Sequence, residues 1–280
     1  MNENMIQGKM LGYVRSNKYR NIRCYAILIT AKCDLVQEKV VNVHCLVALD
    51  LNDWIDHVLS LRLIKLYKKE RVYIPLKTIV EDSGMDYETW SGFSSENMKK
   101  VCKEKCKEKV YNQIEGILNI ENEIQMIIDE NSSEKRMTFL KKNYQKKLYQ
   151  ECLNIYGGKD YKYCFLPRQS YSDCSNLLDG VVVDLQDIMT IRLQDCKKIL
   201  QNQYDFMIIQ DEKERERINN TFFFESPDDF VIFLGCIKSP WIEYLMQKFA
   251  FSFIRIGVLT AERTNIEAHI TNLMEGYENV

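Results

Sequence analysis

Two apolar runs rich in β-branched residues, 25–30 and 40–49, flank a short polar elbow at Cys33-Asp34. Continuous hydrophobic stretches of this length, bounded by polar residues, predict two buried strands joined by a turn. Upstream, Ile6, Met10, Leu11, Tyr13 and Val14 predict a short edge strand. Downstream the period changes. Trp54, Ile55, Val58, Leu59, Leu63 and Leu66 recur at helical spacing, with Asn52 in place as an N-cap. Residues 71–75 read as a short extended segment ending at Pro75, and 76–86 as turn-like around Asp82-Ser83-Gly84.

From about 94 to 156 Lys, Glu, Gln and Asn dominate and proline is absent. Val110, Ile114, Ile117, Leu118, Ile124 and Ile128 predict a long amphipathic helix. After a break at Asn131-Ser132-Ser133 comes a second helix carrying Phe139, Leu140, Tyr144, Leu148 and Leu153, capped by Ser133 and ended by Gly157-Gly158. These form a helical hairpin inserted into, or packed upon, a β-rich domain. β character resumes at 161–167. Residues 180–185 and 188–193 predict a strand pair, or one strand bent at Gln186-Asp187. A charged helix follows at 194–220. Ser239-Pro240-Trp241 starts another at 241–254, and the last twenty residues return to amphipathic helix.

Strands do not alternate regularly with crossover helices. The order therefore predicts an α+β fold: a small antiparallel, partly closed, SH3-like sheet with an inserted helical hairpin and C-terminal helices. The expected parts are 1–93 (β-rich with one helix), 94–158 (the hairpin) and 159–280 (a second β segment and C-terminal helices completing the core).

The chain has 280 residues, 46% of them hydrophobic, enough for a sizeable core. Its formal net charge is -2, so no global field favours nucleic acid. Ten cysteines are many, yet there is no charged-then-apolar leader and no apolar run of the roughly 18 residues a membrane span needs. Free thiols in a reducing cytoplasm, with no membrane association, are the expectation.

The elbow is the foremost candidate site. Cys33 offers a thiol, Asp34 a carboxylate, Lys39 an ammonium that can lower a thiol pKa, and His44 on the following strand a base. The competing account makes Cys33 a small buried residue and Asp34 a turn cap. Cys102 and Cys106 stand one helical turn apart, with Cys24, Cys33 and His44-Cys45 as further donors, but no Cys-x-x-Cys pair exists and no metal is expected. Asp184 and Asp187 follow a strand and read as turn residues, and Glu225, Asp228 and Asp229 cluster near Pro227. Lys99, Lys100, Lys103, Lys105, Lys107 and Lys109, then Lys141, Lys142, Lys146 and Lys147, are dense enough to meet phosphates, though interleaved acids equally suit a solvated helix face. Gly157-Gly158 lacks the lysine and serine of a phosphate loop, and no cofactor is expected. Arg255 and Gly257 suit the end of the aromatic helix.

Thr30-Ala31-Lys32-Cys33-Asp34-Leu35, with Lys39-Val40 after it, resembles the Ser/Thr-x-x-Cys-Asp-Ile/Leu signature of a family of uncharacterised bacterial proteins. Tyr163-Cys-Phe-Leu-Pro167 with Val181-Val-Val-Asp184-Leu185 is similar to that family's second block. The run from Ser239 to Phe249, ending at Arg255-Ile-Gly257, is similar to its C-terminal helix. The resemblance covers about half the chain and supplies no catalytic residues. It implies a cytoplasmic accessory or sensor protein of an antiphage-defence or mobile-element system, acting on an operon-encoded protein partner. The strand–elbow–strand opening also resembles the SH3-like barrel of MazF/PemK-type toxins. The alternatives are a Cys33-dependent hydrolase or nuclease-like toxin, and nucleic-acid binding by the lysine-rich helices.

Overall fold

Seven strands form one antiparallel sheet in the computed structural model, which describes residues 7–37, 39–172, 180–200, 211–224 and 229–257. They are β1 (Lys9–Val14), β2 (Cys24–Leu28), β3 (Asn42–Asp50), β4 (Tyr163–Pro167), β5 (Tyr171–Ser172), β6 (Gly180–Arg192) and β7 (Ile232–Ile237), in the order β4-β6-β3-β2-β1-β7-β5. The two edges belong to one short stretch of chain, since only a three-residue 3₁₀ turn, Arg168–Ser170, separates β4 from β5. One segment can serve both edges only if the sheet curls into a half-barrel. Tyr171 marks the seam. Its hydroxyl donates to the Leu166 carbonyl at 2.7 Å and accepts from the Val181 amide at 2.9 Å, joining the β5 end to β4 and β6.

Twelve helices accompany the sheet among the described residues: α1 (Lys32–Val36), α2 (Leu51–Trp54), α3 (Ser60–Lys68), α4 (Ile74–Asp82), α5 (Tyr87–Ser91), α6 (Ser95–Lys105), α7 (Glu108–Asp129), α8 (Ser133–Asn143), α9 (Gln145–Tyr156), α10 (Leu193–Leu200), α11 (Glu212–Phe222) and α12 (Trp241–Gly257). The fold is thus α+β with an antiparallel curled sheet. By the density of internal contacts the chain divides into two units. One holds 1–51 and 154–280, and the other 52–153.

In the first unit both faces of the central strands are covered. Side chains alternate across a strand. Leu46 and Ala48 of β3, with Ile27, Val181, Val183 and Leu185, face a cluster completed by Trp241, Ile242, Leu245 and Phe249 of α12. Cys45, Val47 and Leu49 take the opposite face, where α10 packs on β3 and brings Cys196 near Cys45. Burial on both sides explains why 45–49 is an unbroken apolar run.

The second unit is helical. Residues 51–82 run as one helix containing two wide π turns, Ile55–Leu59 and Lys69–Tyr73. The second lies directly before Pro75, whose missing N–H would leave the Arg71 carbonyl without its usual partner. The expected extended segment at 71–75 is therefore helical. The stretch 76–86, expected to be turn-like, is helical as far as Asp82, and only its end turns. Gly84 adopts φ +74, its N–H bonds Glu81, and Met85 N–H bonds Val80, closing a left-handed cap. The buried Arg136 donates to Ser60 Oγ at 3.1 Å and to the Asp56 carbonyl at 3.2 Å, tying α8 to the first π turn. Trp54, Leu63, Ile64, Ile114, Leu118 and Leu140 fill the core of this unit.

Two other expectations shift. The elbow is a helical turn, α1, because both the Asp34 and Leu35 amides bond the Ala31 carbonyl. The cap of α8 is Ser132, not Ser133: Ser132 Oγ accepts from the Lys135 amide at 3.3 Å. The C-terminal amphipathic helix, residues 201–210, Glu225 and Asp228, and the Arg255 side chain lie outside what is described. No described helix is long and apolar enough to cross a membrane.

Candidate functional site

Strand β6 carries a large bulge. Leu46 and Val47 are neighbours on β3, yet they pair with Ile188 and Asp184, so residues 185–187 have no counterpart. Such insertions bend a strand and re-aim its side chains. Here the bulge is fastened by the segment between β1 and β2. Asp184 is fully buried. Its Oδ2 accepts from the Tyr19 hydroxyl at 2.6 Å and from the Lys18 ammonium, and its Oδ1 accepts from the Gln186 amide at 3.0 Å. Asp187 Oδ2 accepts from Ser16 Oγ at 2.7 Å, and Ser16 Oγ accepts in turn from the Tyr19 amide at 3.2 Å.

The electrostatics follow from this enclosure. Burial pushes the Asp187 carboxyl above the usual range, and the Ser16 hydroxyl only partly offsets it. Burial, then the neighbouring Asp184, drives the Tyr19 phenol far above its ordinary value. Burial works to lower the Lys18 ammonium, but the Asp184 carboxylate outweighs it and the net shift is upward. The Lys18 ammonium also lies 5.1 Å from the Tyr19 ring centroid and 5.8 Å from that of Tyr163.

A cleft of about 620 Å³ opens beside the bulge. One wall is β6 itself. Asp187, Ile188, Met189 and Thr190 all line it, although Met189 is buried while Ile188 and Thr190 face outward. Consecutive residues point to opposite faces, so a cleft touched by all four meets the strand along its edge. The inner edge is taken by β3. The outer edge is free among the described strands, because β4 pairs only with 180–184. The opposite wall is one face of α11: Lys213, Glu216, Arg217, Asn220 and Thr221, spaced by three and four residues. Ser16 and Asn17 close one end, together with Phe223, a non-glycine residue held at φ +52.

Arg217 is a rigid part of this wall. It donates to Asp195 at 2.7 Å and to both oxygens of Glu214. These hydrogen bonds hold its guanidinium well above its ordinary pKa and pull the Glu214 carboxyl down. The lining therefore mixes two cations, Lys213 and Arg217, with two acids, Asp187 and Glu216.

The four elbow residues lie elsewhere. Cys33 is exposed on α1, with its Sγ 3.6 Å from Asp34 Oδ1. Lys39 is exposed in the loop after it. His44 is exposed on β3, where its amide donates to Thr30 Oγ1 at 2.7 Å and its ring Nδ1 sits 3.3 Å from Thr190 Oγ1. No hydrogen bond joins Cys33 to His44. Cys102 is buried, and no described group of three or more His, Cys, Asp or Glu side chains is placed to hold a metal ion. Asp184 and Asp187, expected as turn residues, lie instead within β6 at its bulge, and their partners at 16–19 carry no sequence signal. Several lysines of the helical unit are engaged: Lys99 with Asn119, Lys68 with Glu121, and Lys147 with Glu151.

No family model, curated protein or solved structure matches the chain.

Proposed function

We propose that this protein is a binding module that captures an extended segment of a partner polypeptide in the cleft between β6 and α11. The observation that supports the reading is the outer edge at 188–190, unpaired among the described strands, lying along a groove whose far wall is a helix face. A strand edge presents unpaired N–H and C=O groups, and an added strand satisfies them. Three residues at about 3.4 Å each give a contact of roughly 10 Å. Lys213, Glu216 and Arg217 on the α11 wall, facing Asp187 of β6, select a peptide carrying both charges. An accessory or sensor role in a defence or mobile-element system places such a partner there. The SH3-like reading of the half-barrel rests on the strand–elbow–strand opening and bears no part of this proposal. Nor does a Cys33-dependent reaction, since the thiol's neighbour is a carboxylate.

Selection of random heptapeptides against the whole chain tests it. Enriched peptides should protect the 188–190 amides from hydrogen exchange. Asn220→Trp, which fills the cleft from an exposed position, should abolish their binding with the fold retained. Failure to enrich any peptide, or protection confined to other strands, removes the proposal.

A further inference from the structure

A second cavity, of about 330 Å³, lies between the chain that follows α9 and one face of α12. Tyr244, Gln247, Lys248, Phe251 and Ser252 line it from the helix, at spacings that place them in one stripe. Gly158, Lys159, Asp160 and Tyr161 form the other side. The backbone approaches the helix closely here. Gly158 adopts φ +63, and a Cβ on it would come within 2.4 Å of the Tyr244 hydroxyl oxygen. Its carbonyl accepts from the Lys248 ammonium. The next turn is stiffened by Asp160, whose Oδ1 accepts from the Lys162 and Tyr163 amides at 2.8 and 3.2 Å. The cavity is therefore built by fixed backbone.

Two features of its lining need an occupant. Tyr161 is 60% exposed and Phe251 63% exposed, a pair of aromatic rings left to water at the mouth of one cavity. Beside them stand two ammonium groups. Lys248 spends one donor on Gly158 and retains two, and Lys159 is exposed at the rim. The single acid of the lining, Asp160, has one oxygen turned to backbone amides. Aromatic faces take planar rings by stacking, and ammonium groups take phosphate as point charges. The volume lies at the low end of that used by small-molecule sites.

We infer that this cavity binds a nucleoside phosphate, the base against Tyr161 and Phe251 and the phosphate between Lys159 and Lys248. The same chemistry occurs free in solution or as one unit of a single RNA strand. Calorimetric titration of the full chain with AMP, adenosine, inorganic phosphate and hexaadenylate separates these cases. AMP or hexaadenylate should bind below millimolar, with adenosine and phosphate each at least about tenfold weaker. Tighter binding of AMP identifies a free nucleotide as the source, and tighter binding of hexaadenylate identifies a strand. Phe251→Ala and Lys159→Ala, both at exposed positions, should each weaken the bound species about tenfold while circular dichroism is unchanged. Absence of binding by both AMP and hexaadenylate, equal binding of adenosine, or affinity unchanged in both variants overturns the inference.

Discussion

Tyr19 donates its hydroxyl proton to the fully buried Asp184 at 2.6 Å, across 165 positions of sequence. That one bond couples the β1–β2 connection to the bulge of β6, and so sets the end wall of the cleft. Asp184 satisfies three donors at once: Tyr19, Lys18 and the Gln186 amide. Removing the acceptor strands all of them, whereas removing one donor strands little. Asp184→Ala should therefore cost about 3 kcal/mol, Tyr19→Phe about 1–2 kcal/mol, and Lys18→Ala, whose side chain is 40% exposed, under about 1 kcal/mol. Urea unfolding of the three variants checks the ranking. A Lys18 variant as damaged as the Asp184 variant contradicts it.

Asp187 predicts a pH dependence of known sign. Its carboxyl titrates higher in the folded chain than in the unfolded one, because burial disfavours the charge. The native state then binds more protons, so stability falls as pH rises. The extra stability is fully present below the unfolded value, about 3.9, and is lost as pH rises through the folded value. Asp187→Asn keeps an oxygen for the Ser16 hydroxyl and removes the titration. The variant should lose that decline and be the more stable protein at pH 7. Denaturation midpoints measured from pH 4 to 7 decide it, and a variant less stable at pH 7 rules out burial as the cause.

The parts that sequence made legible are those whose burial is set locally. The 45–49 run is apolar throughout because α12 and α10 cover its two faces, and that pattern needs no knowledge of topology. The helix beginning at Trp241 was equally plain, since Ser239-Pro240 directly before an apolar run marks a helix start, although Pro240 itself precedes the first helical residue. The extended reading of 71–75 failed because a proline is compatible with a helix when a π turn precedes it, and π turns leave no pattern. The cleft was illegible for a different reason. Ser16 and Asp187 meet across 171 positions, and neither belongs to a motif. The α11 stripe of Lys213, Glu216, Arg217 and Asn220 reads as an ordinary solvated face until a free strand edge is seen beside it.

A one-residue disagreement gives a clean test of local chemistry. Sequence placed the cap of α8 at Ser133, and the structure places it at Ser132, whose Oγ accepts from the Lys135 amide. Either serine fits a cap preceding an amphipathic run, so the pattern could not choose. The backbone does, with Ser132 at φ -88, ψ 118, outside the helical region. Ser132→Ala should cost about 1 kcal/mol, and Ser133→Ala should stay within about 0.5 kcal/mol. The reverse order, read from unfolding midpoints, would place the helix start one residue later.

Thiol reactivity should divide the cysteines sharply. Alkylation proceeds through the thiolate and needs access to it. Cys33 is exposed. Cys164 and Cys196 are buried, and burial pushes both thiols up to about 12. Cys45 is buried beside Cys196 and is likewise raised. Half-buried Cys152 and Cys236 are raised to a lesser degree by the same cause. Iodoacetamide on the native chain at pH 7.5, mapped by mass spectrometry, should label Cys33 in the first phase and Cys164 and Cys196 at least about a hundredfold more slowly. Cys33→Ser should remove that site's label and leave the slow labelling of Cys164 and Cys196 unchanged. Denaturant should merge the fast and slow labelling, because unfolding removes the burial that separates them. If Cys164 keeps pace with Cys33 in the native chain, the half-barrel is open at β4 and the packing of α12 on the sheet does not hold in solution.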